Sequence, residues 1–142
     1  MKIGVFDSGL GGLFILKALV KKLPKYDYLY LGDTKNLPYG SKSQAQIYNL
    51  TIKAVDYLFK NNCQLIVLAC NTASARALRQ IQQKYLPKHY PNRRVLGVII
   101  PTAEDAAKFS SVGVIATEST VNSKTFIREL KKLNSKISVQ QV

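Results

Sequence analysis

Ile3-Gly4-Val5-Phe6-Asp7-Ser8-Gly9-Leu10-Gly11-Gly12 is the stretch that decides the fold. A short apolar run of strand length enters a polar, glycine-rich loop, and a helical stripe of Leu13, Leu16, Val20 and Leu23 follows at once. Strand, loop and helix in that order form the unit from which parallel sheets covered by helices are built. The unit recurs along the chain. Further strand candidates are Tyr28 to Leu31, Leu65 to Ala69, Val95 to Ile99, Val112 to Ala116 and, more weakly, Ile137 to Val139. Ile47, Leu50, Ala54 and Leu58 stripe a second helix, and Ser43 with Gln46 forms a capping box at its start. Ala73 to Tyr85 reads as a third helix, and Phe126, Leu130 and Leu133 mark the last. The fold class is α/β, with open parallel sheets flanked by helices.

Segment 86–94 carries two prolines and little apolar content, so it reads as a surface loop and a domain boundary. The expected organisation is a first α/β domain over 1–94 and the beginning of a second over 95–142. The sequence stops at Gln141-Val142, just past the weakest strand, as a chain interrupted inside its second domain would.

The 142 residues, 46% of them hydrophobic, suffice for a folded core and argue against a disordered tail. No apolar run approaches the roughly 18 residues of a membrane span, and Met1-Lys2 leads into a strand rather than a signal peptide. The expected location is the cytoplasm, with no membrane partner. Two cysteines, Cys63 and Cys70, and the single His89 have neither disulfide nor zinc spacing, so no metal site is expected. A net charge of +13 invites comparison with nucleic-acid-binding proteins. The cations are spread over outer helix faces and loops (Lys17, Lys21, Lys84, Lys131) without a nucleic-acid-binding motif, so a solvated surface explains them better.

Ligands of open α/β sheets bind beyond the carboxyl ends of the strands, where loops enter helix N-termini. Four such ends are polar. The first is Asp7 to Gly12, whose glycines allow close backbone approach to an anion. A dinucleotide-binding loop would need a small residue where Phe14 stands, and no Gly-Lys-Ser/Thr completes a phosphate loop. Asp7 as a simple helix cap is the plainer alternative. The second is Gly32-Asp33-Thr34 with Pro38-Tyr39-Gly40-Ser41, which alone is ordinary loop composition. The third is Cys70-Asn71-Thr72-Ala73-Ser74-Ala75, after the most apolar strand. A cysteine beside a helix start meets a positive partial charge that favours thiolate over thiol, and Asn71 and Thr72 can donate to a carboxylate. Cys63 lacks such a setting and reads as an inert core thiol. The fourth, Thr117-Glu118-Ser119-Thr120, offers hydroxyls that cap a helix or reach a ligand.

Taken in order, Asp7-Ser8-Gly9-x-Gly11-Gly12, Pro38-Tyr39-Gly40, Cys70 to Ala75, Gly97-Val98-Ile99 and Gly113 to Thr117 resemble the N-terminal half of the aspartate/glutamate racemase family, in its glutamate racemase branch. The resemblance covers essentially the whole chain. It implies a two-domain racemase fold whose first domain is completed by a later part of the chain. It also implies cofactor-independent interconversion of L- and D-glutamate, without pyridoxal phosphate or metal, for peptidoglycan synthesis. By that resemblance Cys70 is one of two proton-transfer groups and Asp7 assists it or meets the substrate ammonium. Ser8, Pro38, Tyr39, Gly40, Asn71, Thr72, Thr117 and Thr120 are then the substrate-binding residues, and a homodimer is the assembly to look for. The family's second cysteine, with its Thr-His neighbours, has no counterpart here, so the 142 residues alone are expected to be inactive. An aspartate-specific relative, a non-catalytic remnant that pairs with another subunit, and a basic binding module are the competing readings.

Overall fold

The computed structural model describes residues 1–142. Strand β1 (Lys2–Asp7) leads through the glycine loop to helix α1 (Gly12–Lys22), then to β2 (Asp27–Gly32). A single 3-10 turn (Thr34–Asn36) precedes helix α2 (Gln44–Lys60), strand β3 (Cys63–Leu68) and helix α3 (Asn71–Arg76). Three short helical pieces follow, α4 (Leu78–Gln80), a π-helical turn (Ile81–Tyr85) and α5 (Leu86–His89), before strand β4 (Arg94–Gly97). These strands form one parallel sheet in the order β2-β1-β3-β4.

β1 lies inside that sheet and is covered on both faces; Ile3, Val5 and Phe6 are at most 2% exposed. On one face Phe6, Ile66 and Leu68 pack into a cluster of 17 buried residues with Ile47, Val55, Leu58 and Phe59 of α2. At about 1.5–3 kcal/mol for each large side chain removed from water, this face holds most of the hydrophobic stabilisation. The opposite face buries only Ile3, Val5 and Ala69, with Leu16 and Leu19 of α1 partly covering them. The stripe read along α1 exists, but Leu13, Val20 and Leu23 are 44%, 43% and 42% exposed, because no second element lies over that helix.

The start of α2 is as expected. The Gln46 amide donates to Ser43 Oγ at 3.3 Å, and the Ser43 amide donates to Gln46 Oε1 at 3.0 Å. Such a cap contributes about 1 kcal/mol. α2 ends with Asn62 in the left-handed region (φ 65°), which turns the chain into β3.

Four expectations need correction. The single helix over Ala73 to Tyr85 is instead a series of short pieces, starting two residues earlier and passing into the π-helical turn. A π turn takes more residues per revolution, so Ile81 and Leu86, five apart, both face the core. Segment 86–94 is not a loop throughout, since α5 occupies its first four residues. Pro87 sits in the first turn of α5, where a missing N–H costs nothing, and buried Leu86 ties the piece down. The strand expected over Val95 to Ile99 ends at Gly97, and a helix that the sequence reading missed, α6 (Ile99–Ala106), begins at once. Ile99 and Ala103, one turn apart, are its buried residues. The strand expected over Val112 to Ala116 likewise ends earlier, leaving Ile115 91% exposed.

The rest of the chain comprises β5 (Ser111–Val114), α7 (Glu118–Ser123), α8 (Thr125–Leu133) and β6 (Ser138–Gln141). β5 and β6 form a separate two-stranded parallel sheet. Ala103, Leu130 and Ile137 are its small buried core. Val95, Leu96 and Gly97 pair with β3 through β4 and so lie in the first sheet.

Candidate active site

Asp7 ends the central strand, and its carboxylate turns into the loop that follows. Its Oδ2 accepts from the amides of Gly9 at 3.0 Å and Gly12 at 3.2 Å. The loop wraps so tightly that a Cβ on Gly12 would lie 2.7 Å from Cβ of Asp7, which is why glycine is needed there. Tyr30 of β2 locks the loop from outside by donating its hydroxyl to the Gly9 carbonyl at 2.9 Å. Burial, then the nearby Asp7 and Cys70, push the Tyr30 phenol up, so it acts as a neutral donor.

Cys70 lies next door, just past the end of β3 and at the start of α3. Its thiol donates to Ser8 Oγ at 3.3 Å, and its sulfur accepts from the Ala73 amide at 3.4 Å. Cys70 and Asp7 are both buried, and the Ser8 hydroxyl between them is partly open. The other thiol, Cys63, is fully buried at the opposite end of the strand, and burial pushes it up, as an inert core cysteine requires.

Tyr39 swings under this group from the loop after β2. Its ring packs against Phe6 with centroids 6.3 Å apart, and its hydroxyl donates to Asp33 Oδ2 at 2.7 Å. Burial first, then the hydrogen bond and charge of Asp33, hold the phenol far above the ordinary tyrosine range. Tyr39 is therefore a core residue packed on the end of β1, and its hydroxyl fixes Asp33, which also accepts from the Asn36 side-chain amide.

The threonines close the site from the other side. Thr72 and Thr117 hydroxyls are 2.9 Å apart, Thr117 and Thr120 are 3.0 Å apart, and Thr120 donates to Thr72 at 3.3 Å. Thr117 also caps α7 through the Thr120 amide. A Cβ on Gly40 would lie 2.8 Å from Cβ of Thr117, and the Gly40 carbonyl accepts from the Ser119 amide at 3.1 Å. Gly40 is thus the point where the loop of the first sheet is gripped by the second half of the chain.

The structure brings Asp7, Ser8 and Cys70 together, Tyr39 beneath them, and Gly40, Thr72, Thr117 and Thr120 along one seam. Asn71 is exposed and lines a cleft of about 480 Å³ with Thr72, Thr117 and Thr120. Much of that cleft is apolar surface from Val112, Phe126 and Leu130, and Cys70 does not line it. The Cys70 and Ser8 contact is a thiol with polar partners, which is the kind of group that can move a proton, whereas the apolar part of the cleft offers none. Pro38 is exposed and makes no hydrogen bond with the group; it follows the cis Leu37–Pro38 peptide and shapes the loop. Sequence reasoning missed Tyr30 and Asp33 as holding residues. The available signal was Tyr28 and Tyr30 on one face of a strand, each with a hydroxyl that needs a partner.

No protein-family model matches the chain. Against individual proteins it is 42% identical to a glutamate racemase of Jannaschia sp. (strain CCS1), over 92% of this chain and 52% of that protein. It matches the N-terminal half of the glutamate racemases. The solved glutamate racemase of Aquifex pyrophilus superposes with a TM-score of 0.88 at 38% identity, covering 99% of this chain and 55% of that one. A Francisella tularensis glutamate racemase solved in complex with D-glutamate gives 0.86 at 37% identity, covering 99% of this chain and 51% of the other. The chain spans about half the length of the curated glutamate racemases it matches. Both lines of likeness agree with the α/β fold of parallel sheets and helices described above.

Proposed function

We propose that these residues form one half of the active site of a cytoplasmic glutamate racemase that works without a cofactor and supplies D-glutamate for peptidoglycan. The observation that carries this reading is the Cys70 thiol, 3.3 Å from Ser8 Oγ and beside the amide-bound Asp7 carboxylate. It supports a proton-transfer group next to a polar cradle. Inverting an α-carbon requires a base on one face and an acid on the other. On its face Cys70 takes the α-proton as a thiolate, so that the Cα–H bond breaks, S–H forms and the electron pair stays on the α-carbon and its carboxylate. In the reverse direction the thiol returns the proton.

Asp7 steadies that exchange or faces the substrate ammonium. Ser8, Asn71 and Thr72, with Thr117 and Thr120 across the seam, supply donors for the two carboxylates of glutamate. Tyr39 and Gly40, with Pro38, set the wall. The opposite face needs a second acid or base, which no residue among these 142 supplies. Domain division after the first sheet, with 95–97 joining the first unit, agrees best with the pairing of β4. A homodimer fits the reading but rests on the resemblance alone.

The test is proton exchange at the α-carbon in D2O, followed by NMR for each enantiomer. The 142-residue chain is expected to exchange one enantiomer slowly, to lose that exchange in Cys70→Ala and to show no net racemisation. Exchange that survives Cys70→Ala would sink the assignment, as would net racemisation by this chain.

A further inference from the structure

Ser8 carries the hydroxyl that meets the Cys70 thiol, yet its own amide and carbonyl have no hydrogen-bond partner in the chain. Where that hydroxyl stands therefore depends on the residues to either side. Asp7 is the last residue of β1, and its carbonyl accepts from the Asp33 amide at 2.9 Å. Gly9 is held at both ends: its amide donates to Asp7 Oδ2 at 3.0 Å, and its carbonyl accepts from the Tyr30 hydroxyl at 2.9 Å.

β2 is shaped to receive that carbonyl. Tyr30 and Gly32 are two apart on the strand and share a face. A Cβ on Gly32 would lie 2.5 Å from the Gly9 carbonyl oxygen and 3.2 Å from Cε1 of Tyr30, so the bare glycine leaves the gap through which the carbonyl reaches the phenol. Burial, then the nearby Asp7 and Cys70, raise that phenol and keep it a protonated donor through the neutral range. Tyr28, on the same face of β2, sends its hydroxyl elsewhere, to the carbonyls of Leu19 and Leu23 at 3.2 and 2.9 Å. The two tyrosines thus do the same kind of work at opposite ends of α1, but only Tyr30 holds the loop that carries Ser8.

A proton moves efficiently only between groups held in bonding geometry, and a misplacement of about 1 Å costs on the order of a hundredfold in rate. We propose that Tyr30, seated in the gap left by Gly32, is a positioning residue for proton transfer at Cys70: by holding the Gly9 carbonyl it keeps the Ser8 hydroxyl opposite the thiol. This rests on the reading of Cys70 as a proton-transfer group. Tyr30 acts through the loop and touches no reacting atom.

The test compares the parent chain with Tyr30→Phe, Gly32→Ala and Tyr28→Phe in two assays. One is α-proton exchange of glutamate in D2O; the other is the rate at which iodoacetamide alkylates Cys70, mapped by mass spectrometry with buried Cys63 as the reference. Tyr30→Phe removes one hydroxyl and keeps the ring, so the fold survives. It should lower kcat for exchange about tenfold, while KM, which Asn71 and the threonines also set, changes less. Alkylation of Cys70 should quicken several-fold as the Ser8 hydroxyl leaves the thiol. Gly32→Ala should act in the same direction, because its methyl displaces the same carbonyl. Tyr28→Phe should lower Tm at least as much as Tyr30→Phe, yet leave kcat and alkylation at the parent values. Equal effects of the two tyrosine variants on kcat or alkylation would overturn the proposal, since they mean general loosening. So would a Tyr30→Phe chain that reacts like the parent. If the parent shows no exchange, the reading of Cys70 fails separately, and the alkylation rates still decide whether Tyr30 positions Ser8.

Discussion

Asp7 shows how much a single side chain organises here. Both amides that its carboxylate receives belong to the glycine loop, so Asp7 from inside and the Tyr30 hydroxyl from outside set the shape of that loop together. Asp7→Ala should cost about 1–3 kcal/mol, the penalty of leaving buried donors unmet. Asp7→Asn keeps a carbonyl oxygen in place and should cost clearly less; equal losses in urea denaturation would mean that the amides find water instead. Tyr39 and Tyr85 carry a pH signature. Burial and hydrogen bonds to Asp33 and Asp56 raise both phenols, so the folded state holds their protons more tightly than the unfolded chain. The stabilisation is whole below the unfolded value near pH 10 and is lost as pH climbs from there toward the folded values. Tyr39→Phe and Tyr85→Phe should therefore flatten the alkaline limb of the stability curve, measured as Tm against pH. Cys70, Thr72 and Thr117 were legible in the sequence because each follows an apolar strand. Asp33 showed only as part of a polar strand end and Tyr30 not at all, because their work is to hold a neighbour, and that depends on which strands pair.

Among elements, α2 was the easiest to read, since its stripe and its capping box are local features that agree. The break between α3 and the π-helical turn is different. It answers the need of Ile81 and Leu86 to reach the same core, a demand set by β4 and invisible in a window of ten residues. α6 escaped notice for a related reason: its buried pair Ile99 and Ala103 is a short stripe adjoining a strand of the same apolar character. α8 joins the halves through Glu129. Burial alone would raise that carboxyl, but Lys132, Arg128 and Arg79 together outweigh burial and lower it. A depressed carboxyl stabilises the fold above its unfolded value and loses that contribution as pH falls through the folded value. Glu129→Gln should remove this acid-sensitive part, so that its Tm approaches that of the parent protein as pH drops. A gap between them that stays constant with pH would mean packing, not charge.

The whole molecule is lopsided, with a deep core on the α2 face of the sheet and a shallow one under α1. Leu10 and Phe14 stand 65% and 81% exposed beside the partly open stripe of α1, an apolar surface of the kind that drives association. Phe14→Glu should shift the chain toward monomer in sedimentation at high concentration without lowering Tm; an unchanged distribution would mean that this surface does not drive association. The alternation of strands and helices predicted the layers, but composition along one helix could not reveal that nothing covers its outer side. The strand order carries one more consequence, for how the protein comes into being. Lys2 pairs with Asp27 on one side, while Ile3 waits for Leu65 on the other, and Leu65 in turn waits for Arg94. A nascent chain leaving the ribosome therefore holds β1 half-paired through the synthesis of all of α2, and that interval is when a chaperone has most to protect.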